Sequence, residues 1–238
     1  MIRAAAVVIP AHNEAELLPS CLGAVAASLA ACRIAPDRRR IVVVADACGD
    51  ATAAIARAMG AHVVEVGHRS VGPARAEGMR RALALLGGCP AAEAWLATTD
   101  ADSIVPLRWL PEQVRWADAG WDAVAGTVTV ADWSQRPPGL AAVFARHYRS
   151  GPGEHPHVHG ANLGVRASAY LASGGFRSLA CSEDHSLVAA LHAGGHRIRR
   201  PSDLSVRTSA RPDSRARGGF GDLLTRLAGK WSGPDSGQ

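Results

Sequence analysis

Residues 97–103, ATTDADS, set Asp100 and Asp102 one residue apart directly after an apolar stretch. Two carboxylates about 4 Å apart repel by roughly 4 kcal/mol at an effective dielectric near 20. A chain relieves that repulsion by splaying both groups into water, as an Asp-rich turn does. It can also hold them together around a divalent cation, whose hard-oxygen preference is met by one or two carboxylates, phosphate and water. A second acidic pair, Glu183–Asp184, opens the stretch SEDHSLVAALHAGG. Acids in a first helical turn favour the helix dipole and its free N–H groups; a carboxylate there can also take a proton from a hydroxyl. His155, His157 and His159 alternate in EHPHVHG. On an extended segment they share a face, which suits either a His₃ metal site or a loop lining a pocket.

The elements that position these groups alternate along the first half of the chain. AAAVVIP (4–10) reads as a buried strand, followed by a helix from about Glu14 to Cys32 and a strand at 40–46. A helix over 50–60 ends at Gly60, a third strand covers 61–66, and a helix over 72–87 carries Pro73 in its first turn. AWLATTDAD supplies a fourth strand. Continuously apolar strands alternating with helices predict a parallel sheet covered on both faces. Ligands of such sheets sit beyond the carboxyl ends of the strands, which here read IPAHNEAE, VVADACGD and TTDADS. Asp46, Asp50, Asp100 and Asp102 are therefore expected to converge on one crevice. No G-x-G-x-x-G follows a strand, which disfavours a dinucleotide site.

The second half is less regular. A strand is expected at 121–130, a helix at 139–149, mostly loop at 151–166, a helix at 182–195 with Ser182 as N-cap, and a strand at 203–208. Trp109 and Trp116, seven apart, suit helix packing, whereas Trp133 in a loop is placed to stack on a sugar or acceptor.

With 238 residues, 47% apolar and 20% charged, the chain is globular and long enough for one large α/β domain or two small ones. Its five cysteines (21, 32, 48, 89 and 181) are odd in number and lack a C-x-x-C pair. That argues against a disulfide framework or zinc knuckle and for a reducing compartment. The N-terminus has no signal-peptide pattern, and LLPSCLGAVAASLAAC is too short and too interrupted for a membrane span. Of the net charge of +5, all falls from Arg197 onward, where nine basic residues face four aspartates. A localised basic end implies an anionic partner. Nucleic acid is disfavoured, because no helix-turn-helix or RNP-like pattern accompanies the charge.

In order along residues 4–195, six segments resemble the GT-A-fold glycosyltransferases of family 2: VVIPAHNEAELL, VVVADACGDATAAIA, GPARAEGMRRAL, TTDADS, HGANLGVRASAYLASGGF and SEDHSLVAAL. The resemblance implies an α/β GT-A fold, a Rossmann-like, mainly parallel mixed sheet with helices on both faces. It implies one domain over 1–212, with a nucleotide-sugar half at 1–103 and an acceptor half at 104–212, followed by a basic arm and flexible tail at 213–238. TTDADS takes the place of the D-x-D signature, so Asp102 is expected to ligate Mg²⁺ or Mn²⁺, with Asp100 on the metal's shell or the ribose. Pro10, Asn13, Glu14, Asp46 and Arg75 are expected around the nucleotide sugar, Arg75 either on phosphate or locking an aspartate. For Asp50, capping of the following helix is the equal reading. His159, Gly160 and Asn162 fall on the acceptor side. Asp184 is expected as the catalytic base and Glu183 as its neighbour that orients the acceptor or loop.

Two departures accompany the likeness. No histidine follows the acidic-pair helix on the next strand, and Q-x-x-R-W, the signature of processive synthases, is absent. Arg207, Arg211, Arg215 and Arg217 stand there instead, and the arm is expected to fold over the leaving diphosphate, Arg211 foremost. The expected reaction is metal-dependent, inverting transfer of one hexose from a nucleoside-diphosphate sugar, UDP- or GDP-linked, to a hydroxyl of a small molecule, glycan or lipid-linked acceptor. The rival readings are a nucleotidyltransferase on a similar fold and an inactive nucleotide-sugar-binding protein. The expected location is the cytoplasm, either free or peripheral to a membrane.

Overall fold

The structure, a computed structural model, describes residues 1–130, 132–148, 153–213 and 219–229. Elements are numbered in chain order. Strand β1 (Ala4–Ala11) is an interior strand, with Ala5, Val7 and Ile9 in one buried cluster and Ala4, Ala6 and Val8 in another. Successive side chains of a strand point to opposite faces, so a strand covered on both sides has to be apolar throughout. β2 (Arg39–Asp46), β3 (His62–Val66) and β4 (Ala94–Thr98) extend it in parallel, in the order β3-β2-β1-β4. Beyond β4 the sheet turns mixed: β8 (Leu163–Arg166) runs antiparallel to β4 and to β6 (Ala123–Ala125), and β9 (Ile198–Arg199) runs parallel to β6. A smaller sheet joins β5 (Ser103–Ile104), β10 (Ser205–Thr208) and β7 (Thr127–Val130), in that order.

Helices α1 (Leu18–Ala30), α2 (Thr52–Ala58) and α4 (Trp109–Asp118) bury Leu18, Leu22, Ala56, Trp109 and Leu110 against one face. On the other face, α3 (Val71–Leu85), α6 (Ala167–Ala172) and α7 (Glu183–Ala193) contribute Met79, Tyr170 and Leu187. A third cluster joins α5 (Leu140–His147) to α8 (Phe220–Gly229) through Leu140, Phe144, Leu224 and Leu227, under Val128 of β7. This is the expected mixed α/β architecture with helices on both faces. All five cysteines are free, and no helix among the described residues is long and apolar enough to cross a membrane.

The strand expected over 121–130 is two strands in different sheets, parted at Gly126. A Cβ there would collide with the Asn162 carboxamide and fall 2.5 Å from the Leu204 carbonyl. Part of the expected C-terminal arm and tail is the helix α8, in which Phe220, Leu223, Leu224 and Leu227 share a face. Arg215, Arg217 and the terminal tail lie outside the described residues. Ser182 stands at the N-cap of α7, but with a left-handed backbone (φ 59°) and no capping bond from its side chain.

Helix α3 lies close to the sheet through Gly78, where a Cβ would overlap Val8 and come within 2.8 Å of a Val44 methyl. Gly78→Ala gains intrinsic helix propensity, yet the overlap is with packed strand side chains. It should lower stability by about 1–3 kcal/mol, the usual range for overpacking, read by urea denaturation.

Candidate active site

The loops after the first three parallel strands each bend through a left-handed residue that is not glycine: Asn13 (φ 52°), Ala47 (φ 51°) and Arg69 (φ 51°). Ser182, just before α7, makes a fourth. Such conformations cost of order 1–3 kcal/mol each and concentrate at functional sites. Two of them, Arg69 and Ser182, line a cavity of about 740 Å³ at the carboxyl edge of the parallel strands.

On the side of β1 and β2, Pro10, His12, Glu14 and Asp46 line this cavity. Both oxygens of Asp46 accept backbone N–H groups, from Arg69 at 2.8 Å and Ser70 at 2.9 Å, so its carboxylate fixes the loop after β3 at the rim. Asp50 stands one residue ahead of the α2 N-cap, Ala51, where it accepts the Thr52 N–H at 3.0 Å and the Ala15 N–H at 3.1 Å. Asn13 does not line the cavity; its Oδ1 accepts the Gly49 N–H at 2.7 Å and braces the first loop to the second.

At the centre, Arg75 from α3 is only 4% exposed and pairs with Asp100 on one side and Glu183 on the other. Burial alone would favour losing its proton, but the charges of Asp100, Glu183 and Asp184 hold it on and raise its pKa. Gly160 packs flush on the guanidinium, where any Cβ would overlap it. Of the two readings the sequence left for Arg75, phosphate contact or aspartate lock, the lock is the one formed here.

Asp102 sits beside Arg211, whose Nη2 is 3.3 Å from the Asp102 Oδ2. The same guanidinium forks onto Glu14, donating from Nη1 to Oε2 at 2.9 Å and from Nη2 to Oε1. Burial and the charge of Asp100, opposed by Arg211, push the Asp102 carboxyl up to about 6. Four carboxylates, Glu14, Asp100, Asp102 and Glu183, share two guanidinium groups here, an arrangement that suits a hard dication. Among the described residues no group of three or more His, Cys, Asp or Glu is arranged to hold a metal by itself. A cation at this edge would therefore draw on Asp102 and Asp100, with ligand phosphate and water completing its shell.

On the α7 side, Asp184 faces the cavity and accepts the Gly160 N–H at 2.8 Å on one oxygen and the His185 N–H at 2.8 Å on the other. His159 lies behind Gly160. The Tyr148 hydroxyl accepts the Val128 N–H at 3.0 Å and is hydrogen-bonded to the His159 Nε2 at 2.9 Å. Burial pushes the His159 pKa down to about 4. The three histidines form a stacked ladder with Tyr148 rather than a metal tripod: Tyr148 and His157 centroids are 3.9 Å apart, His155 and His157 5.7 Å, His157 and His159 6.2 Å.

Asn162 is where the acceptor-side expectation needs correcting. It is 0% exposed, accepts the Trp109 Nε1–H at 2.8 Å, and donates to the Thr127 and Leu204 carbonyls at 2.7 and 2.8 Å. Its amide is taken up in stitching β7 to the segment before β10, out of reach of a cavity ligand. Trp133 packs on Phe144 with centroids 5.5 Å apart instead of facing the cavity. Two wall elements escaped the sequence reading: the Arg69–Ser70 loop, and Phe220, Leu223 and Arg226 of α8. The apolar spacing of α8 was the available signal for the second, masked by the arginines around it.

A family model described as "Glycosyl transferase family 2" matches residues 6–172. Among solved structures, TarS 1-349 of S. aureus in complex with UDP-GlcNAc superposes with a TM-score of 0.66 at 14% identity, covering 94% of this chain and 65% of that one. The mannosyltransferase PcManGT of Pyrobaculum calidifontis, in complex with GDP-Man and Mn²⁺, gives 0.64 at 21% identity, covering 90% and 59%. The chain thus spans less than two thirds of either, and at these identities the likeness establishes the GT-A fold. No curated protein matches the chain.

Arg75→Met leaves Glu183 buried and unpaired, a loss that typically costs about 3–5 kcal/mol. Urea denaturation should register it, and adding Glu183→Gln in the same chain should restore part of it. A second outcome concerns His159. Between about 4 and its ordinary 6.5 the unfolded chain binds a proton that folded His159 does not, so this group's contribution to stability is lost as pH falls through that window. Asp102, raised to about 6, contributes with the opposite sign. The slope of stability against pH from 4 to 6.5 should therefore be less positive in His159→Gln than in the unmodified protein.

Proposed function

Starting from a chain that belongs to glycosyl transferase family 2, we propose that it transfers a single sugar from a nucleoside-diphosphate sugar to a hydroxyl, with inversion and with help from Mg²⁺ or Mn²⁺. The observation that carries this reading is the Arg75 bridge, which holds the Asp100–Asp102 edge and the Glu183–Asp184 turn on the same cavity. One side of the cavity gathers acids and guanidinium groups suited to a cation and a diphosphate. The other presents a carboxylate to a hydroxyl.

In this reading Asp102, with Asp100, holds the metal, which when bound supplies charge stabilisation to the departing diphosphate. Arg211, forked onto Glu14 and beside Asp102, places a fixed positive charge at the edge where the diphosphate would sit. Asp184 accepts the proton of the acceptor hydroxyl while that oxygen bonds to the anomeric carbon. The bond from that carbon to the diphosphate oxygen breaks, and its electron pair leaves with the nucleoside diphosphate. Attack from the face opposite the leaving group inverts the configuration. Glu183, buried and paired with Arg75, orients the turn that carries Asp184 and is not itself the base. Arg75, locked between carboxylates, acts on the donor through Asp100.

The sugar complexes of the structural neighbours, UDP-GlcNAc in TarS and GDP-Man with Mn²⁺ in PcManGT, support uridine or guanosine diphosphate donors as the first to assay. The acceptor is a small-molecule, glycan or lipid-linked hydroxyl, met in the cytoplasm or at a membrane face.

Calorimetry with UDP and GDP should show uptake that MnCl₂ strengthens in the unmodified protein and not in Asp102→Asn. In a sugar-transfer assay, Asp184→Asn should lose about 10²–10⁴-fold in kcat while keeping nucleotide affinity. Nucleotide uptake without transfer, unchanged by Asp184→Asn, would instead identify a binding protein.

A further inference from the structure

The loop between β7 and α5 turns one charged residue inward. Ser134, Gln135, Pro137 and Pro138 are exposed, whereas Arg136 between them is 9% exposed. Among the described residues no carboxylate lies within ion-pair distance of its guanidinium. It donates instead to four neutral oxygens: the Ala210 carbonyl from Nε at 2.5 Å, the Arg211 carbonyl at 2.8 Å and the Gly221 carbonyl at 3.5 Å from Nη2, and the Thr225 hydroxyl from Nη1 at 3.1 Å. Thr225 in turn donates to the Gly221 carbonyl at 3.0 Å.

Burying a guanidinium without a counter-charge is costly unless its donors are satisfied. What this site obtains from it is reach, because the planar fork spans two segments at once. One segment ends at Arg211, whose side chain grips Glu14 and stands beside Asp102. The other is the first turns of α8, which brings Phe220, Leu223 and Arg226 to the cavity. α5, α8 and Ala210 also share the third apolar cluster; the Arg136 bonds to the Ala210 and Arg211 carbonyls add the polar tie that sets the direction of the chain there.

We propose that Arg136 is a positioning residue for donor binding: it fixes the backbone of Arg211 so that the Arg211 guanidinium stays on Glu14 and beside Asp102 at the diphosphate edge, and it seats α8 as a wall of the cavity. Resting on the donor-site reading above, this assigns a role to a side chain that touches neither donor nor acceptor.

The test compares the unmodified protein with Arg136→Lys, which keeps the charge but cannot span both segments, and with Arg136→Gln. Two measurements are made on each: hydrogen exchange of the amides at 208–213 and 219–229, and calorimetric titration with UDP and GDP in MnCl₂. Both variants should exchange faster at those amides while β1 and β2 stay protected. Nucleotide affinity should fall about tenfold, the scale of one charge-assisted hydrogen bond, and in a transfer assay the donor KM should rise with kcat little changed. A lowered melting temperature with affinity within about twofold of the unmodified protein would make Arg136 a purely structural brace and overturn the proposal, as would unchanged exchange at 219–229. Should Arg136→Gln fail to fold, Arg136→Lys and Thr225→Val, which removes one acceptor on α8, carry the comparison. Failure of the unmodified protein to take up either nucleotide would overturn the donor reading itself, a result separate from the exchange data.

Discussion

A single guanidinium organises the cavity. Arg75 rises from α3 into a space bounded by Asp100 at the end of β4, Glu183 at the start of α7 and the bare backbone of Gly160. None of these groups would be stable where it is without the others. Glu183 is too buried to remain charged alone, Asp100 has a second aspartate beside it, and Arg75 is too deep to hold its proton without acids around it. Removing these charges from water is costly, so the arrangement persists because its members satisfy one another. Residues distant in sequence are thereby held in one geometry, and the Asp100–Asp102 edge and the Glu183–Asp184 turn are kept together.

The same logic extends outward with diminishing charge. Arg211 faces two carboxylates, Glu14 and Asp102. Arg136 faces none among the described residues and is satisfied by carbonyls and a hydroxyl. The basic excess of the C-terminal stretch is therefore only partly a matter of surface field, since one of its arginines, Arg211, is directed into the site. Tyr148 and His159 extend the network behind Gly160 without a counter-charge, burial holding the imidazole pKa down.

Much of the frame was legible in the residues because its signals are local. The runs at 4–10 and 40–46 are apolar throughout, and only a strand covered on both faces needs that. Acidic residues immediately after such runs had to fall at the sheet's edge, which is where Asp46, Asp100 and Asp102 are. Less legible was anything decided by a contact distant in sequence. Gly126 gave no sign that it parts two sheets, because its neighbours are Asn162 and the Leu204 carbonyl. Asn162 sat in a segment read as acceptor-facing, and only the fold shows its amide committed to Trp109, Thr127 and Leu204. Helix α8 did carry an apolar period, at Phe220, Leu223, Leu224 and Leu227, but the surrounding charge read more loudly. Arg136, a lone cation in a proline-rich turn, carried no local signal at all.

The close seating of Gly160 on Arg75 also constrains how this site can evolve. A methyl group at position 160 needs the space the guanidinium fills, and a shorter side chain at position 75 would open that space while stranding two carboxylates. Neither position can drift by itself without passing through a defective intermediate. The pair should therefore behave epistatically, so that sequence change at one is tolerated only on a background already altered at the other and at Glu183.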